Sequence, residues 1–231
     1  FSFYQNLSFA GYYAGTKTDG RQSDDKSYLG RADYLGDRYG ARIEHTTVGA
    51  NFNPEAGYVR RYDISRTPGG LRFSPRPKSS TLVRKYSFET YLDYVENRAG
   101  RLESRQQVGR LMTEFSSGDR LWVEAVKNFE RLDVPFVIAG VTIPEGGYDY
   151  NDARINYQMG GQRRVSGNLS IERGQYYDGT ITGFGYTNAR ISASTHLSLE
   201  PSISINKVDM PVGNFTNTLL RERTDYAFTP R

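Results

Sequence analysis

The sequence predicts an all-β protein: an antiparallel, up-and-down transmembrane β-barrel, with about twelve of its strands within this chain. Three observations predict it. First, residues 196–206 alternate strictly, with Leu197, Leu199, Pro201, Ile203 and Ile205 on one side. Ser198, Glu200, Ser202, Ser204 and Asn206 fall on the other. Successive strand side chains point to opposite faces, so the run reads as one long strand with an apolar and a polar face. It matches the roughly 9–11 residues that a strand needs to cross a bilayer, where a globular strand has about 5–6. Second, hydrophobic residues make up only 37% and mean hydropathy is −0.66, yet there are 18 Tyr and 12 Phe. A barrel with every other residue facing lipid, and aromatic girdles at both interfaces, has that mixture. Third, the connections alternate in length. Those near 36, 77, 117, 161 and 194 are short, and those at 16–26, 48–61, 131–147 and 209–215 are longer. Short periplasmic turns and long outer loops sort in this way, although 97–100 and 174–179 break the trend.

The strands follow in order from alternation and turn signals. The first covers about Phe3 to Gly15 and the second about Ser27 to Leu35, before the Gly36-Asp37 turn. In the third, about Arg38 to Thr47, Tyr39, Ala41 and Ile43 oppose Arg42 and Glu44. A long segment, Val48 to Arg61, precedes the fourth, which runs to about Ser74, and residues 75–78 turn the chain. The fifth sets Phe88, Leu92 and Tyr94 against Glu89, Tyr91 and Asp93. The sixth, about Arg101 to Phe115, ends at residues 116–119. In the seventh, Leu121, Val123 and Ala125 oppose Trp122, Glu124 and Asn128, and a loop from Arg131 to Gly147 follows. The eighth sets Ala153, Ile155, Tyr157 and Met159 against Asp152, Arg154, Asn156 and Gln158. After Gly160-Gly161-Gln162, the ninth sets Val165, Leu169 and Ile171 against Ser166, Asn168, Ser170 and Glu172. The tenth, about Thr180 to Ile191, is Gly-rich and ambiguous in facing. The eleventh is the run of residues 196–206, and the twelfth covers about Thr216 to Thr229.

Composition limits the alternatives. No stretch has the continuous apolar run of a membrane-spanning helix. The chain opens in strand-like sequence without a signal peptide and stops on a turn-like ending. Residues 1–231 are therefore expected to be a single barrel segment truncated at both ends, partnered by the rest of its own chain. Zero cysteines remove disulfides and thiol chemistry. The net charge of +4 is spread without a basic run, which argues against nucleic-acid binding.

Several stretches carry a resemblance. They are residues 49–61 (GANFNPEAGYVRR), 72–77 (RFSPRP), 100–105 (GRLESR), 141–148 (VTIPEGGY) and 162–167 (QRRVSG). Together they resemble a bacterial envelope family whose N-terminal part is similar to family 9 carbohydrate-binding modules. Its C-terminal part is a large uncharacterised domain thought to be an outer-membrane barrel. The resemblance places this chain inside that C-terminal domain and implies a bacterial outer-membrane location. It carries no assigned chemistry and no sugar-binding residues.

The candidate functional residues form two groups. Arg42, Glu44, Glu89, Asp93, Arg110, Glu114, Glu124, Asp152, Arg154, Glu172 and Glu200 make an inward polar ladder of both signs. They line a water-filled pore if the barrel is wide, or form a satisfied interior network if it is small. Asn51, Phe52, Asn53, Tyr58, Arg60 and Arg61 form the second group, in a loop that either folds into the lumen as a constriction or packs on itself at the surface. The loop Val134 to Tyr148 is unusually apolar, which calls for burial against a neighbouring loop or a partner.

Catalytic motifs are weak. Glu89 and Asp93 share a strand face, no Gly-x-Ser-x-Gly elbow accompanies His45 or His196, and two His without Cys make a poor zinc site. Neither a metal nor a cofactor is expected. The expected function is passage of a polar solute, oligosaccharide by the resemblance, with membrane lipid as partner. The alternatives are a membrane-anchored carbohydrate-processing hydrolase, a non-conducting structural or docking barrel, and a soluble all-β carbohydrate-binding module.

Overall fold

The computed structural model describes residues 2–3, 6–20, 23–55, 57–59 and 61–229. The strands are β1 (Ser2–Phe3), β2 (Leu7–Gly15), β3 (Lys26–Leu35), β4 (Tyr39–Val48), β5 (Ile64–Phe73) and β6 (Val83–Asn97). They continue as β7 (Leu102–Phe115), β8 (Arg120–Leu132), β9 (Phe136–Ile138), β10 (Val141–Ile143) and β11 (Gly146–Gln158). The last six are β12 (Val165–Tyr176), β13 (Gly179–Ser192), β14 (Leu197–Leu199), β15 (Ser202–Met210), β16 (Gly213–Arg221) and β17 (Thr224–Tyr226). All pairings are antiparallel. Fifteen strands form one sheet, in sequence order as far as β13, which pairs with both β14 and β15; β14 then pairs with β17 and β15 with β16, while β9 and β10 make a separate hairpin. No helix among the described residues is long and apolar enough to cross a membrane.

The sheet is open: β2 and β16 do not pair with each other among the described residues, so it does not close on itself. The long strands stand where the alternation puts them, in up-and-down order. The differences lie at ends and breaks. Regular pairing of the first long strand begins at Leu7, and Ser2–Phe3 fold back on Leu7–Ser8. The run of residues 196–206 is two strands, not one, broken at Glu200-Pro201. Asn188, at φ 49°, inserts an extra residue into β13, so Ile191 pairs with Leu199 while Tyr186 pairs with Ile203. Asn tolerates the left-handed region, and Pro201 has no N–H for the ladder. The facing predicted for Leu199, Ile203 and Ile205 survives the break. The twelfth strand starts earlier, at Gly213, and is interrupted at Glu222-Arg223. The 209–215 connection is a two-residue turn, with Met210 paired to Gly213.

The Arg131–Gly147 connection is not a plain loop. It holds the β9–β10 hairpin, turned by Ala139 and Gly140, both at positive φ as a two-residue turn of this hand requires. Val141 and Ile143 are buried against Tyr177, Val208 and Met210. This supplies the burial against a neighbouring loop that the apolar sequence calls for. Phe136 and Val137 on the hairpin's other strand stay exposed.

Register sorts the sheet into two faces. One hydrogen-bonded row runs Tyr39, Phe73, Phe88, Leu111, Val123, Ile155, Ile171, Phe184 and Ile205 across nine strands. These residues are paired in sequence across the sheet, yet Ile155 is 50% exposed and its neighbour row includes Leu71 at 62%. The opposite face hides polar groups: Ser27 and Ser87 are 1% exposed and Asp33 2%. Water-soluble proteins bury the first set and expose the second. Here the order is reversed over most of the sheet. The compact apolar cluster is peripheral, beneath the β9–β10 hairpin.

Candidate functional site: the polar face and its loop

Ten of the eleven ladder residues project from one face, because each sits at an even step from its neighbours in the paired registers. Six consecutive strands set opposite charges directly against one another. Arg72 of β5 faces Glu89 of β6, and Glu89 faces Arg110 of β7. Arg110 faces Glu124 of β8, which faces Arg154 of β11, which faces Glu172 of β12. Opposed strand residues on one face lie close enough for such pairs to interact. Arg110 reaches Glu89 at 3.2 Å and Glu124 at 2.5 Å, while Arg154 reaches Glu172 at 3.0 Å and Asp152 at 3.1 Å. Arg72 was not singled out in the sequence, because its strand reads Thr-Pro-Gly-Gly-Leu-Arg and gives little alternation. It donates to the Gly36 carbonyl at 2.5 Å and to Ser74 Oγ at 2.9 Å.

Nearer the longer loops, Arg66 holds Asp93 in a two-pronged contact of 2.8 and 2.6 Å, which matches the fork of a guanidinium to a carboxylate. Buried Asp33 is shared by Arg31, at 2.8 Å, and by Arg42. Glu114 pairs with Arg84 at 3.1 Å. Glu44 lies opposite Arg31, beside a gap in the β4–β5 ladder between Ile43 and Thr46. Pro68, which has no N–H, falls on β5 within that gap. Glu200 stands apart from the paired ladder, in the β14–β15 break, 3.9 Å from Arg223.

The loop after β4 folds onto this same face. Gly49 opens it with its N–H on the Lys26 carbonyl, and a Cβ there would collide with the Asp24 carbonyl. Asn51 and Asn53 are stitches rather than free ligands. The Asn51 amide donates to the Ser23 carbonyl at 2.9 Å, and the Asn53 N–H donates to Thr16 Oγ1 at 2.9 Å. Phe52 is buried, and with Val48, Ile64 and Val95 it lines a cleft of about 430 Å³ between loop and sheet. Tyr12, Tyr58, Arg61, Arg66 and Asp93 are also in its lining. Tyr58 is the most exposed of them, and Arg61 lies 4.0 Å from Glu103. Arg60 lies outside the described residues. The loop thus shares one cleft with the polar face and is stitched to the loop after β2.

The short-turn rim is tied by its own ion pairs. Asp119 accepts from the Gly160 N–H at 2.7 Å, the Tyr157 hydroxyl at 2.8 Å and Arg163 Nε at 3.0 Å. Burial works to raise the Asp119 pKa, but these donors together hold it well below the usual carboxylate value. Arg76 pairs with Asp37 at 2.7 Å across two other turns and lowers the pKa of that carboxyl. At the opposite rim, burial raises the Tyr177 phenol and the nearby Glu130 adds to it, its carboxylate accepting from Tyr177 at 3.0 Å. Neither rim is legible in the sequence, because the partners lie far apart along the chain. Among the described residues no cluster of three His, Asp or Glu is placed to hold a metal. The chain matches no family model, no curated protein and no solved structure.

Proposed function

We propose that this sheet is wall from an outer-membrane β-barrel whose polar face lines a passage for a polar solute. The observation that carries the reading is the inverted burial: large apolar side chains are exposed in cross-strand rows while Asp, Ser and Arg-paired carboxylates are covered. Exposed contiguous apolar surface on this scale is an aggregation hazard in water and the normal condition in lipid.

The apolar band also drifts in the way tilted strands demand. Along one row, Ile43, Gly69 and Leu92 give way to Gln107, Lys127 and Asn151 in the next three strands. The row nearest the short turns stays apolar further along: Tyr86 and Thr113 are followed by Leu121, Tyr157, Leu169, Tyr186, Ile203 and Leu220. A horizontal slab of lipid crossing strands tilted by about 35–45° meets each successive strand at a shifted position, so its apolar stretch slides along the sheet. A flat docking face has no reason for such a drift.

The loop seated on the polar face by Phe52 narrows the passage. Oligosaccharide is the solute class to which the sequence resemblance points. The test is a heat-modifiability gel of full-length protein from outer membranes, followed by conductance in planar bilayers. A faster-migrating unheated band and discrete conductance steps are expected. A soluble protein without a mobility shift overturns the membrane reading, and a heat-modifiable protein without conductance overturns the passage.

A further inference from the structure

The charge pattern on the polar face has a consequence for what crosses. We infer that the passage is balanced in charge and admits net-neutral polar solutes without sorting small ions by sign. This rests on the pore reading above and specifies its solute class.

Three observations carry it. The ladder Arg72, Glu89, Arg110, Glu124, Arg154, Glu172 alternates sign at every step across six hydrogen-bonded strands. An ion meeting that girdle finds each charge flanked by its opposite, at 3.2 Å and 2.5 Å around Arg110. The fields of such neighbours cancel beyond a few ångströms, whereas selective pores present rings of one sign. Second, the balance extends beyond that row. β3, β4, β6, β7, β8 and β11 each present both signs at ladder-paired positions, β5 adds only Arg66 and Arg72, and β12 adds only Glu172. Third, the same row is uncharged on either side of these six residues. Glu172 is followed across the sheet by Gly183, Asn206 and Asn217, and Arg72 is preceded by Gly40 and Leu35. A wall of amides and cancelled ion pairs offers hydrogen bonds to hydroxyls and amides while giving a net charge no preferred site.

The experiment is the reversal potential of full-length protein in planar bilayers under a tenfold KCl gradient. A cation-to-anion permeability ratio within about threefold of one is expected. A larger ratio in either direction overturns charge balance while leaving the pore intact. Absence of conductance from folded protein overturns the pore reading itself, a separate failure. Two variants test whether the ladder is what the ions see. Arg110→Glu with Arg154→Glu should move the ratio towards cations by at least threefold. Glu89→Gln with Glu172→Gln, which is nearly isosteric and keeps the fold safer, should move it towards anions. Folded, conducting variants whose ratio stays at the parent value overturn the assignment of this ladder to the passage.

Discussion

Replacing Ile155 with Arg separates a lipid-facing wall from a water-facing one. Ile155 is central in the apolar stretch of β11, between Tyr157 and Ala153 on its own face, and it is paired with Val123 and Ile171. It is half-exposed, so on a water-facing sheet the arginine simply extends into solvent. Exposed substitutions of that kind usually change stability by no more than about 0.5 kcal/mol. In a bilayer the same guanidinium sits near the midplane of the hydrocarbon, where arginine on a barrel costs about 2–4 kcal/mol. At 1.4 kcal/mol per decade, that is about a 30- to 700-fold fall in the folded-to-unfolded ratio. The control is Asn156→Arg, one residue on and on the opposite face, opposite Trp122. It should cost less than about 1 kcal/mol, since the new charge meets a hydrated wall. The assay is urea titration of folding into lipid vesicles, read by the unheated band on gels. A cost at Ile155 below 0.5 kcal/mol, or one matched at Asn156, would falsify the assignment of faces.

Other consequences follow from the rims and the loop. Asp119→Asn removes the charge and one of the two carboxylate oxygens that accept from Gly160, Tyr157 and Arg163, and should lower the urea midpoint and loosen the 160–163 turn, seen as faster amide exchange there. Because folding depresses the Asp119 pKa, its contribution is complete above the ordinary value of 3.8 and is lost as pH falls through the lower folded value. Parent protein should therefore lose stability on acidification below about pH 4 more steeply than Asp119→Asn, and parallel curves would refute the clamp. Phe52→Ala takes away the loop's buried anchor, with about 3 kcal/mol of local packing, and should raise single-channel conductance and open residues 49–61 to protease. Unchanged conductance and cleavage would show that Phe52 does not hold the loop. Ala139→Gly relieves a left-handed residue in the β9–β10 turn and should slow amide exchange in the hairpin by up to about fivefold, for a gain of up to about 1 kcal/mol. Faster exchange would contradict the turn geometry.

The sequence by itself determined which residues share a face. Alternation has a period of two and needs no partner to be read, so the polar side of each strand, carrying Arg42, Glu89, Arg110, Glu124 and Arg154, is legible without any knowledge of pairing. The turn residues 36–37 and 160–162 likewise announce themselves locally. Interruptions were not legible. The bulge at Asn188 and the break before Ser202 come from one strand's extra residue against its neighbours, which no single strand records. The β9–β10 hairpin was hidden because three-residue strands carry almost no periodicity, and its burial depends on Tyr177 and Val208, distant in sequence. Only the tertiary structure decided that the charges meet as alternating neighbours, that the Asn51–Asn53 segment is stitched down over the polar face, and that Asp119 binds two turns together. Those are matters of register and of contact between separate turns, fixed by how whole strands slide against one another rather than by any local pattern.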